Sequence, residues 1–97
     1  MAETPEQAAF RGRDAKRLMD DPLLRDAFEA VSARLESAAL ACDRTDAEGA
    51  RAICISKQLL ACVKRELYRF VETGQLAEVE LTRLEKIKSA AVKVFRR

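Results

Sequence analysis

Apolar residues recur along this chain with a helical rhythm. From Leu24, the positions Phe28, Val31, Leu35, Ala38 and Cys42 follow at steps of four, three, four, three and four. That spacing lines one face of a helix packed against another helix. Ile53, Ser56, Leu60, Val63, Leu67 and Phe70 repeat it, broadened by Leu59 and Val71. A third stripe follows in Ala77, Leu81, Leu84, Ile87, Ala91 and Phe95.

Capping signals divide these stripes into elements. Thr4-Pro5-Glu6-Gln7 combines an N-cap Thr, Pro at the first helical position and Gln three residues on, a capping box that predicts a helix from about Pro5 to Met19. Asp21-Pro22 repeats the device and starts a second helix, over about 22–42. Asp43-Arg44-Thr45 reads as a turn, and Thr45 with Glu48 as another capping box, predicting a third helix over about 46–73. Gly74 stands where a left-handed residue would end that helix, so a fourth is expected from Gln75 towards the C-terminus. Gly49 falls early in the third helix, either at a close helix crossing or simply tolerated near a fraying end, at about 1 kcal/mol against Ala. The expected fold is all-α: a central antiparallel hairpin of helices 22–42 and 46–73, flanked by a short N-terminal and a C-terminal helix, in one small domain covering 1–97.

Size and composition set what such a bundle can bury. A chain of 97 residues hides only roughly 60–65% of its unfolded surface, and many members of the stripes are Ala. Most of the bulk comes from five aromatics, Phe10, Phe28, Tyr68, Phe70 and Phe95. Self-association or a protein partner is therefore expected to cover surplus seam, with Leu24, Phe28, Leu35, Leu60, Leu67 and Phe70 as the packing and interface residues. The run Ala38 to Ala41 is far shorter than the ~20 residues of a membrane span. The start, Met1-Ala2-Glu3-Thr4-Pro5, lacks the basic and apolar regions of a secretory signal. Cytoplasmic synthesis and no membrane partner are the expectation.

Candidate chemistry is sparse. The sequence holds no His, the usual acid–base carrier near neutral pH. Ser32, Ser37, Ser56 and Ser89 fall inside predicted helices with nothing to activate them, and no Gly-rich phosphate loop occurs. Cys42, Cys54 and Cys62 lack the spacing of a zinc site and read as reduced, half-buried thiols, or as intermolecular bridges in an oxidising compartment. No enzyme, cofactor or metal is expected. Charge is more informative in its distribution than in its total of +2. Residues 1–46 hold 7 basic and 10 acidic side chains, and residues 47–97 hold 11 and 6. Lys86, Lys88, Lys93, Arg96 and Arg97 close the chain. They either complement the helix dipole or offer an electrostatic foothold for nucleic acid or an acidic protein face.

Three short motifs carry a resemblance. They are Leu18 with Pro22, Leu23, Leu24 and Phe28; Asp46, Glu48 and Gly49; and Glu72, Thr73, Gly74, Leu76 and Ala77. Over about residues 11–80 the chain resembles a group of short helical proteins of tailed bacteriophages. The group has Arg where Ala50 stands, next to Arg51, and carries Trp residues that this sequence lacks. The resemblance implies a virus-encoded protein, made in the host cytoplasm and acting in virion assembly or DNA packaging. It supplies no catalytic or binding residue. The expected role is an oligomeric phage assembly or structural protein docking on a virion component. The alternatives are a DNA-packaging adaptor resembling a small terminase subunit, with the basic C-terminal helix on DNA, and an inhibitor that occludes a host protein.

Overall fold

In the computed structural model, which describes residues 3–95, three helices account for nearly the whole chain: α1 (Pro5–Asp20), α2 (Pro22–Ala41) and α3 (Ala47–Phe95). Among the described residues there is no strand. The fold class is all-α, as the periodicity requires.

Two of the three helix starts form as their caps predict. The Gln7 amide donates to Thr4 Oγ1 at 3.2 Å, and the Thr4 amide donates to Gln7 Oε1 at 3.0 Å, a reciprocal capping box. Asp21 is extended and accepts from the Leu23 amide at 2.8 Å, with Pro22 at the first helical position. The start of α3 differs from expectation. Thr45 is held by Asp43, whose Oδ1 accepts from the Thr45 amide at 2.8 Å and from its hydroxyl at 2.7 Å. With Thr45 engaged, Asp46 becomes the cap and accepts from the Gly49 amide at 2.9 Å. The Thr45–Glu48 box does not form.

The larger correction concerns Gly74. The third and fourth helices expected on either side of it are one continuous helix, α3, of 49 residues. No described residue has a positive φ, so Gly74 does not take the left-handed conformation that would end a helix. A Gly inside a helix costs on the order of 1 kcal/mol relative to Ala. Its position against α1 supplies the reason it stands there.

The chain divides into two compact units. One holds residues up to Lys16 together with those from Tyr68 onwards. In it, α1 and α3 meet at two glycines, and the buried residues are Ala8, Ala9, Gly12, Ala15 and Gly74. A Cβ on Gly12 would stand 2.6 Å from Gly74 Cα and 2.8 Å from the Phe70 carbonyl oxygen; one on Gly74 would stand 2.6 Å from Gly12 Cα and 3.0 Å from the Ala8 carbonyl oxygen. Each glycine thus faces the other and the carbonyl four residues before it, a reciprocal backbone contact of the kind that small residues permit. Polar contacts flank it. The Arg11 guanidinium lies 4.6 Å from the Phe70 ring centroid and pairs with Glu3, while Arg13 Nε is 3.5 Å from Glu78 Oε1.

The other unit covers Arg17–Leu67. Here α2 contributes half-buried Leu24, Phe28 and Leu35, and α3 contributes Ile53, Leu60 and Leu67. Glu36 pairs with Lys57, and the Lys64 ammonium sits 5.5 Å from the Phe28 ring centroid. No described side chain of this unit is fully buried. Val31, Ala38, Ser56 and Val63, expected in the seams, are exposed.

Candidate interaction surface

The residues expected to pack separate into internal contacts and free surface. Leu35 and Leu60 line one shallow cleft with Ser32, Glu36, Lys57, Ala61 and Lys64. Leu24, Phe28 and Leu67 are half-buried in the same unit; Phe70, half-buried in the other, lies beneath Arg11. All six therefore spend part of their apolar surface inside this chain.

What remains exposed is more apolar than the core. The only buried side chains among the described residues belong to alanines, whereas at least fifteen large apolar side chains are exposed, from Phe10 to Val94. The extremes are Leu40 at 89%, Leu23 at 78% and Leu76 at 72%. Scattered exposed apolar residues are normal, but a chain whose larger residues are mostly outside is short of covering surface.

The exposed residues are ordered. At about 100° per residue, Ile55, Leu59 and Cys62 share a face of α3 opposite Lys57 and Lys64, the residues that meet α2. Farther along, every residue from 82 to 94 is exposed, and Leu84, Ile87, Ala91 and Val94 form an apolar face. Sequence reasoning counted Leu59 with the stronger seam beside it and so missed the separate stripe that Leu59 forms with Ile55 and Cys62. It also missed Gly12, whose signal was Ala8, four residues earlier: two small residues on one helix face.

Of the basic residues at the end of the chain, Lys86, Lys88 and Lys93 are exposed, and Arg96 and Arg97 lie outside the described residues. Lys86 and Lys93 share a face with Thr82 and Ser89, while Lys88 falls on another side of the helix.

Several hydroxyls, one carboxylate and one thiol make local contacts. Ser56 and Thr82 donate to the carbonyls four residues before them, at 2.8 and 2.9 Å, as hydroxyls inside helices do. Asp43 has its carboxyl held below the ordinary value by the Thr45 amide and then by the Thr45 hydroxyl. All three cysteines are free. Cys42 is half-buried and donates weakly to the carbonyls of Asp43 and Asp46, whereas Cys54 and Cys62 are exposed, contrary to the half-buried thiols expected. Among the described residues no three His, Cys, Asp or Glu side chains gather as a metal site would need. None of the helices is long and apolar enough to cross a membrane. Compared with protein-family models, curated protein sequences and solved structures, the chain matches none of them.

Proposed function

We propose that this is a non-enzymatic bacteriophage assembly or structural protein, which works by oligomerising or by docking its helices on a larger virion component. The observation that carries the reading is the inverted distribution of apolar residues, with alanine inside and leucine, isoleucine and valine outside. Apolar burial is the main favourable term in folding and association alike, and here much of it is left for association. The sequence resemblance over residues 11–80 supplies the viral setting.

In this reading α2 and the first half of α3 form an antiparallel hairpin that displays the outer stripes. Two contacts support it: Glu36 meets Lys57 and Phe28 meets Lys64, so partners move back along α2 as they move forward along α3. A second reading, a DNA-packaging adaptor, is favoured by the exposed row Thr82, Lys86, Ser89 and Lys93. Mass spectrometry of purified particles tests the first reading, which expects this chain in fixed stoichiometry or bound to an assembly intermediate. Duplex DNA retained at physiological salt, with the chain found neither in particles nor in assembly intermediates, would replace it with the second.

A further inference from the structure

We propose that the last stretch of α3, residues 82–94, docks on an acidic amphipathic helix of a different protein. The contact runs along Leu84, Ile87, Ala91 and Val94, with Arg83 and Lys88 on its two edges. This inference rests on the docking arm of the function proposed above and names the chemistry of the partner.

The stretch is free to receive one. Leu81 is half-buried, and every residue from 82 to 94 is exposed. Leu84, Ile87, Ala91 and Val94 follow at steps of three, four and three, the narrow seam that one helix presents to another. Arg83 precedes Leu84 and Lys88 follows Ile87, so at about 100° per residue they border the seam on opposite sides. Lys86 and Lys93 add positive charge behind Arg83, and Glu85 is the single acidic residue between 82 and 94. None of the four basic side chains pairs with another described residue.

Charge decides what covers the seam. A parallel second copy in register sets Arg83 of one helix beside Lys88 of the other. An antiparallel copy overlapping all four seam residues sets Lys88 beside Lys88. The exposed row of α2 offers no better fit from a second copy, because Ala27, Val31, Arg34 and Ala38 carry an arginine within the stripe. Duplex DNA satisfies the bases through its phosphates but leaves the apolar seam uncovered. A helix whose own apolar seam is bordered by Asp or Glu satisfies both features together. In such pairs the seam supplies most of the affinity, and the bordering charges select the partner.

Two synthetic helices of about three heptads test this, with the same leucine seam and either Glu or Lys along its borders. Each is labelled and titrated with the full-length chain at physiological salt, followed by fluorescence anisotropy. The Glu-bordered peptide should bind about tenfold more tightly than the Lys-bordered one. Arg83→Glu combined with Lys88→Glu should reverse that preference, and Ile87→Asn should weaken the Glu-bordered peptide about tenfold. All three positions are exposed, and unchanged helical circular dichroism keeps misfolding out of the comparison. Equal binding of the two peptides, or a preference unmoved by the charge reversal, overturns the proposal. Labelled duplex DNA bound more tightly than either peptide, and unaffected by Ile87→Asn, overturns it in favour of nucleic acid.

Hydrogen exchange provides a second, independent measurement. The amides of residues 82–94 should slow on addition of the Glu-bordered peptide and stay fast as the concentration of the chain itself rises. Slowing with concentration alone overturns the proposal in favour of a second copy. Loss of the peptide preference leaves the proposed role to the other exposed stripes. A chain absent from particles and assembly intermediates overturns that role, while the peptide titrations still decide this face.

Discussion

At the scale of single residues, the two glycines at the α1–α3 crossing decide more than any large side chain. From sequence alone Gly74→Ala has two opposed expectations, loss of stability if Gly74 is left-handed and a gain if the helix is straight. The helix is continuous through Gly74, yet a loss is still expected. A Cβ there would lie 2.6 Å from Gly12 Cα and 3.0 Å from the Ala8 carbonyl oxygen, and backbone atoms cannot rotate away. Overpacking of about 1–3 kcal/mol outweighs the ~1 kcal/mol gained in helix propensity. Gly12→Ala and Gly74→Ala should each lower stability in urea unfolding, by about 1–2 kcal/mol. The double variant should fall short of the sum, because both disrupt the same contact. Gly49→Ala should change stability by less than ~1 kcal/mol, since the gain in helix propensity offsets the displacement of the Asp46 carboxylate that caps α3.

Asp43 supplies a pH dependence whose sign follows from its partners. The Thr45 amide and hydroxyl favour the charged carboxylate in the folded chain, so its folded pKa lies below the unfolded value. The resulting stabilisation is complete above the ordinary carboxylate pKa of about 3.9 and is lost as pH falls through the lower folded value. Titration of the Asp43 carboxyl by NMR should show that lowered midpoint, and Thr45→Ala should raise it.

At the scale of elements, the structure shows which local signals were sufficient. Thr4 with Gln7, and Asp21 before Pro22, fix helix starts because every partner lies within three residues. At the third start the expected Thr45 cap is displaced, because Asp43 engages Thr45 and leaves Asp46 to cap. Gly74 was beyond local reading. The reason for it is Gly12, far away in sequence, and a glycine that ends a helix looks the same as one that admits a second helix. The apolar stripes were legible as helical faces, but a repeat does not say whether its partner lies in the same chain. Leu35 and Leu60 line one cleft, whereas Val31 and Val63, one step along the same stripes, remain exposed.

This half-burial sets the size of the expected mutational effects. Leu35→Ala and Leu60→Ala should each destabilise by about 1–2 kcal/mol in urea unfolding, below the ~2–5 kcal/mol of a fully buried leucine. Lys57→Ala should cost less than ~0.5 kcal/mol, because its pair with Glu36 is exposed. The end of α3 makes a complementary case. Residues 82–94 are all exposed, and a helix with no packing partner is marginal in water. Their amides should exchange faster than those around Leu60 and Gly74 in dilute solution. They should gain protection once a partner helix covers them.

At the scale of the whole molecule, two forces could hold copies together, and they respond differently to salt. The front of the chain (residues 1–46) has a net charge of −3 and the back (residues 47–97) a net charge of +5, so head-to-tail attraction between copies is conceivable on charge alone. Exposed ion pairs are worth only ~0–1 kcal/mol each, and the Debye length shrinks from about 10 Å at 0.1 M salt to about 3 Å at 1 M. Apolar burial is not screened. At about 25 cal/mol per Å², covering even 500 Å² of apolar surface contributes about 12 kcal/mol before the entropic cost of association is subtracted. The apolar stripes should therefore dominate. Light scattering after size separation is expected to show a particle larger than the 10.9 kDa chain at both low and 1 M salt. Its dissociation constant should rise by no more than about tenfold between the two, the share owed to exposed ion pairs. A particle that falls apart to monomer as salt rises would instead make charge the force between copies, with the exposed apolar stripes left for a different protein to cover.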